Sequence, residues 1–520
     1  MPTELNVRFW KTGDETGEFN YPELTDPELR YEPILGRPNT GIAISGGGTV
    51  SASLIMGYFY ALQEMEVFDN IRYISGVSGG CWGSAPFCYL PEDMDDTTYL
   101  GGKKYQPEDL TRDILKQVPE HSLTYAVTHA CIVEKALLEI QSKHLSSCYV
   151  RAVGDIFLEP FNISKTDCYF TTDQNAVNQI TGRNPGLNAS DFITLKKGRP
   201  FPIMNTSIMS PKVETGSDNF PCDFTPLYAG VKTHAGKKGK LGQKIGGAFV
   251  EPFGFNCKPV KVDKKELMTI VSPGDERFSL CHPVGGSGDA IAQDVMEKHT
   301  VPNFILPSYK YWNPTAALAP LARHTYRLGD GGFVDDTGVA ALLARGVENI
   351  VVFLTEPFDT TTEQYQAVGY NQISSLFGQK VYKWDKDPDK RGFTDPNPNN
   401  LMLEQEKFNA LKTAVKQSIQ AGGPVFWKDA YTVQENGWFG IDGGWTCNIL
   451  WIFNSRSTGW NDRVKALLKD EFVPDFPFVK VFGQNPQSVI NLTPVQANML
   501  GNFGYWMSTS AEQEIRSLLG

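Results

Sequence analysis

Ser78 is the residue of this 520-residue chain best placed for covalent chemistry. It lies in Gly76-Val77-Ser78-Gly79-Gly80, a G-x-S-x-G, which alone is a weak pattern in a chain with 49 glycines. Its context adds weight. Ile71-Arg72-Tyr73-Ile74 reads as a strand, and the small flanking residues allow a tight turn that leaves Oγ exposed. Cys81 onward reads as a buried helix whose amide end faces that turn. The competing reading is a glycine turn that only joins strand to helix. A serine hydroxyl is a poor nucleophile at neutral pH, so it needs a base for its proton and donors for the oxyanion that forms. Ser45-Gly46-Gly47-Gly48 follows the short apolar strand Ile42-Ala43-Ile44 and opens a helix, so the amides of Gly47 and Gly48 can face an anion with no side chain in the way. Phosphate binding is the alternative for this turn. However, G-x-x-x-x-G-K-[ST] is absent and Gly46 to Ser51 does not complete G-x-G-x-x-G.

The base is the informative part, because an ordinary α/β-hydrolase runs serine, acid, histidine in chain order. The histidines are His121, His129, His144, His234, His282, His299 and His324, and none lies in an elbow-like context. Asp330, in Asp330-Gly331-Gly332, sits at a strand end where two glycines let the chain turn away and leave the carboxylate free. It can serve as the base itself if burial raises its pKa from the usual value of about 4. A histidine remains the alternative base. Asp335 and Asp336 lack the glycine setting and are expected to cap the following helix.

The surrounding elements predict how these residues are carried. Gly41 to Met65 and Ile71 onward each read as strand, glycine turn and helix. A third unit runs from Leu328 through a short helix at Val339 to Leu343 and a buried strand at Asn349 to Leu354. Such units imply an α/β fold with a central, mostly parallel sheet, a nucleophile elbow, flanking helices and an inserted cap region. Residues 110–150 read as helix, with Ile132, Ala136 and Ile140 on one face, and 199–260 as strands and loops. Residues 384–400 are a polar loop before a helix with Phe408, Leu411, Val415 and Ile419 on one stripe. Residues 1–40, rich in acids and prolines, are expected to form an extended surface arm, and 41–520 a single domain with cap insertions.

Composition narrows the class. Apolar residues make up 41%, aromatics 12% and charged residues 21%, too much to bury for a disordered or coiled-coil chain. The net charge of −11 argues against nucleic-acid binding as the main business. No stretch approaches the roughly 18 apolar residues of a membrane span, and the first twenty residues lack an apolar signal core. Nine cysteines without a C-x-x-C pair suggest the thiols of a reduced, cytoplasmic protein rather than a zinc site or disulfide framework.

Taken in order, SGGG, GVSGG and DGG resemble the Ser-Asp dyad hydrolases, the superfamily of patatin and the cytosolic phospholipases A2 and lysophospholipases (phospholipase B). The middle of the chain narrows the resemblance. Arg199 to Asn205 (RPFPIMN), Cys222 to Tyr228 (CDFTPLY) and Gly247 to Val250 (GAFV) are similar to the RPPLPIY, FEFTPYE and GAF segments of the phospholipase A2/lysophospholipase B catalytic domain. Arg345 to Ile350 is similar to its RGVDLI segment. The similarity covers roughly residues 40–355. It implies Ser78 as nucleophile, Asp330 as general base, Gly47 and Gly48 as oxyanion donors, and no metal or other cofactor. It also implies hydrolysis of fatty acyl esters of glycerophospholipids or lysophospholipids at a membrane or micelle surface. Where the family has Phe-Arg-Ala after the glycines, with the arginine on phosphate, this chain has Thr49-Val50-Ser51. That departure leaves room for galactolipid or neutral glyceride as substrate, and a non-enzymatic lipid-binding or storage role is the third reading. Two segments are candidates for lipid contact. One is the basic run Lys232 to Lys265, against which stands a solvated loop; the other is Phe304 to Trp312, against which stands core packing.

Overall fold

The computed structural model describes residues 2–12, 19–141, 147–209, 219–233, 245–274, 276–290, 307–315, 324–358, 373–383, 392–469, 472–473, 476–477 and 491–520. The strands used below are β1 (Leu5–Lys11), β2 (Thr40–Ile44), β3 (Tyr73–Val77), β4 (Phe201–Met209), β5 (His324–Asp330), β6 (Asn349–Phe358) and β7 (Thr446–Ser455). Near-continuous apolar runs suit strands covered on both faces. β2, β3 and β4 are buried at every position, as parallel strands sandwiched between helices must be. The order β4-β3-β2-β6-β7 is parallel throughout, and this set is the heart of the sheet. Beyond β4 the sheet turns antiparallel through Asn219–Phe224, Ala229–Gly230 and Ala248–Val250 to β1 and a final hairpin. Val425–Thr432 closes the other edge, antiparallel to β7.

Helix α1 (Gly48–Glu64) follows β2, and helix α2 (Gly79–Tyr89) follows β3, so both predicted strand-turn-helix units form. α1 is backed by helix α3 (Pro494–Ser510) at very close range, because Gly57 leaves room for the Gly501 carbonyl and the Tyr505 amide. The third unit forms as well, with β5, the helix Val339–Leu343 and β6. The stripe Phe408, Leu411 and Val415 is buried on the helix Phe408–Ala421.

The structure corrects the reading of the first forty residues. Those of them that are described form no surface arm: β1 pairs with Met268–Ser272 and Ala248–Val250, and Leu5, Val7 and Phe9 are fully buried on one face of it. Three alternating apolar residues are enough to specify a half-buried strand, and Asn6 and Arg8 between them lie on the other face. Glu23 is buried too, accepting hydrogen bonds from the Tyr73 and Tyr228 hydroxyls beside Arg345. Residues 110–150 are likewise not one helix. They divide into Arg112–Leu115, Leu123–Thr128, Ile132–Gln141 and the start of Cys148–Phe157, with Thr111 and Ser122 capping the first two through their side chains. The side chain of Ile140 lies outside the described residues.

Candidate active site

Ser78 and Asp330 are 252 positions apart, yet one strand brings them together. β3 lies along the first half of β4, with Val77 opposite Asn205; β5 lies along the second half, with Asp330 opposite Thr206. The two strands therefore meet end to end at adjacent positions of β4. Ser78 leaves β3 with φ 51° and ψ −123°, a conformation that a non-glycine residue rarely adopts and that costs on the order of 1–3 kcal/mol. Its neighbour must be glycine, since a Cβ on Gly79 would run into the Gly48 peptide. Ser78 is 9% exposed, at the N-terminal end of α2.

The Asp330 carboxyl is 4% exposed and lies near the Ser78 hydroxyl. Burial pushes its pKa up to about 6, against the Gly332 amide at 2.8 Å from Oδ1, the Ser78 hydroxyl and the Ala290 amide, which all favour the ionised form. That is the environment the sequence reading required of a carboxylate base. The described imidazoles are engaged elsewhere. His121 Nδ1 contacts the Pro160 carbonyl and His129 Nδ1 that of Tyr125. His282, buried against Phe278 and Tyr309, has its pKa pushed down to about 4 by that burial. His144, His234, His299 and the His324 side chain lie outside the described residues.

The glycine turn lies against the elbow. Gly47 has φ +138° and Gly48 φ +57°, and among the described residues neither amide donates a hydrogen bond. Both stand at the start of α1, where the helix dipole favours negative charge. The Gly46 amide donates to the Asp336 carbonyl at 3.0 Å, which ties this turn to the segment after Asp330. Asp335 caps as expected: its carboxylate accepts from the Thr337 and Ala340 amides. Asp336 differs from that expectation, because its carboxylate sits between Gly46 and Gly332.

Sequence reasoning missed a third segment. Ser287 is fully buried, and its hydroxyl accepts from the Ser78 amide at 2.9 Å. Asp289 is fully buried beside Asp330, and burial and that neighbouring carboxylate push its own carboxyl well above the usual carboxylate range. The glycine-rich run Gly285-Gly286-Ser287-Gly288 was the available signal. The lipid-contact candidates fare differently. Lys232 is drawn inward, donating to the Ala344 and Gly440 carbonyls, while Lys258 and Lys261 are exposed on the strand Lys258–Asp263. Lys237, Lys238, Lys240 and Lys244 lie outside the described residues. Tyr309 and Tyr311 pack around Phe255 and Phe278 and Trp312 is buried as well, so that part of the aromatic run serves packing; Phe304 to Leu306 are outside the described residues. Among the described residues no helix is long and apolar enough to cross a membrane.

No protein-family model matches the chain. Over 104 residues, 20% of its length, it is 30% identical to cytosolic phospholipase A2 delta of Mus musculus, and over 101 residues it is 30% identical to cytosolic phospholipase A2 delta of Homo sapiens. The chain resembles the cytosolic phospholipases A2. The matched stretch spans 12% of either relative. Among solved structures, human GIVD cytosolic phospholipase A2 is similar over 95% of this chain and 61% of its own, at 12% identity and a TM-score of 0.46.

Proposed function

We propose that this phospholipase A2-like chain is a lipid acyl hydrolase that cleaves fatty acyl esters of glycerophospholipids or lysophospholipids through an acyl-serine. One observation carries the reading: a strained, glycine-flanked serine stands, where β3 and β5 meet, beside a buried carboxyl whose pKa is pushed up to about 6. Asp330 takes the proton as Ser78 Oγ attacks the ester carbonyl. The amides of Gly47 and Gly48 receive the charge on the carbonyl oxygen, and Asp330 returns the proton to the departing glyceryl oxygen. A water then gives a proton to Asp330 and attacks the acyl-serine, releasing the fatty acid and restoring the Ser78 hydroxyl. The base is weak for this task, so the oxyanion donors must supply much of the barrier reduction. The relatives are called cytosolic, and a cytosolic enzyme would meet its substrate at a membrane or micelle surface.

A second reading, an acyl hydrolase for galactolipid or neutral glyceride, is favoured by Thr49-Val50-Ser51. Thr49 and Ser51 are buried, and the Ser51 hydroxyl is bonded to the Ser45 carbonyl, so this stretch offers no cation to a phosphate. Incubation with a panel of phospholipid, lysophospholipid, galactolipid and triglyceride, read by product mass, decides between the two. The first reading expects free fatty acid from the phosphate-bearing lipids at a rate at least about tenfold above the others, the size of one lost charge-assisted contact. Release of fatty acid from the uncharged lipids alone would favour the second, and release from none would contradict both.

A further inference from the structure

Ser287 touches three of the pieces that bring the dyad together. Its Oγ accepts the Ser78 amide at 2.9 Å and donates to the Asn205 carbonyl at 2.6 Å, while its own carbonyl accepts the Gly331 amide at 3.2 Å. Ser78 has left its strand, so its amide is a buried donor with no ladder partner, and Ser287 supplies the acceptor. Asn205 is the β4 residue opposite Val77, and Gly331 directly follows Asp330. The side chain of Asn205 also binds the Ser75 hydroxyl and the Gly76 carbonyl, which locks β4 to the approach of the elbow. Ser287 itself is held firmly. The Tyr149 hydroxyl donates to the carbonyl of Gly288, and a Cβ at Gly286 or Gly288 would strike Leu328 or Trp82.

We propose that Ser287 is a positioning residue for the reaction, fixing the backbone of Ser78 in its strained turn and setting the distance between that turn and the one after Asp330. This inference rests on the Ser78–Asp330 reading above. Ser287 acts through the Ser78 amide and the Gly331 amide, so it meets no substrate atom. Without its oxygen, the Ser78 amide and the Asn205 carbonyl are both left buried and unpartnered, and the turn at Ser78 is free to relax toward an ordinary φ.

The test compares wild type, Ser287→Ala and Ser287→Cys in their reaction with a fluorophosphonate that carries a fatty alkyl chain, with melting curves to confirm folding. The cysteine variant keeps the volume of the side chain but accepts hydrogen bonds weakly, and it supplies the same readout if the alanine variant does not fold. The expected result is a limiting rate of adduct formation at Ser78 reduced on the order of a hundredfold, with the half-saturating probe concentration unchanged. A role limited to stability would lower the melting temperature and leave that rate alone. A folded variant that reacts at the wild-type rate would overturn this inference while leaving the dyad standing. A wild-type protein that forms no adduct at Ser78 would overturn the dyad and this inference together.

Discussion

Ser78→Ala is expected to lose acyl ester turnover by a factor on the order of 10⁴ or more while keeping its fold. Only the hydroxyl is removed, and the other hydroxyl described at the junction of β3 and β5, that of Ser287, is engaged with the Ser78 amide and the Asn205 carbonyl. Losses of this size are typical when the nucleophile of a serine hydrolase is deleted, the remainder being what the oxyanion donors and binding still supply. The fold should survive because Ser78 contributes little burial through its side chain. Its amide remains bonded to Ser287, and the adjoining helix is held by fully buried residues such as Trp82 and Phe87. Steady-state hydrolysis of the best lipid of the panel, with far-ultraviolet circular dichroism as the control, checks both halves. Turnover within tenfold of wild type would remove Ser78 from the reaction.

Asp330→Asn is expected to separate activity from stability. The amide keeps the shape of the side chain but cannot take a proton, so turnover should fall by roughly 10³- to 10⁴-fold, the upper range for loss of a general base. Stability should move the other way. The folded pKa, about 6, is raised above the ordinary 3.8, so the carboxyl favours the folded state in its protonated form. That contribution is fully present below about pH 4 and is lost as pH rises through 6. At pH 8 the wild type carries a buried charge that costs about 3 kcal/mol, and the asparagine variant does not. Urea unfolding should therefore show the variant more stable than wild type at pH 8 and no more stable at pH 4. Equal stability at both pH values would mean that the carboxyl is not held in the buried, raised state described for it.

Ser78 and Asp330, which the structure brings to one junction, were legible in the sequence because each is marked locally. Ser78 and Asp330 both stand at a strand end and both are followed by two glycines, and such a pattern needs no knowledge of distant contacts. The parallel heart of the sheet was legible for a similar reason, since β2, β3 and β6 read as short apolar runs bounded by turns. The antiparallel half was not. β1 carries only three buried residues, alternating with Asn6, Arg8 and Trp10, and its place is fixed by pairing with residues more than 230 positions away. Lys232 was read as a surface cation because nothing in the sequence shows that its amine lies over the Tyr21 ring and finds two carbonyls inside. Ser287 and Asp289 were marked only by the glycine-rich run around them, because their roles come from where β4 and β5 meet. A serine in a glycine-rich run carries no mark of the amide it will accept.

The central claim is that a carboxylate, with no imidazole between, activates Ser78. It is tested most directly by the pH dependence of fluorophosphonate adduct formation, with the modified peptide mapped by mass, in wild type and in Asp330→Asn. The account predicts an adduct on Ser78 whose rate in wild type rises with pH through about 6 and is level above it, because only the ionised carboxyl accepts the proton. In the asparagine variant the rate should be low and without that inflexion. An adduct on another residue, or one that forms on Ser78 of Asp330→Asn at the wild-type rate, would contradict it.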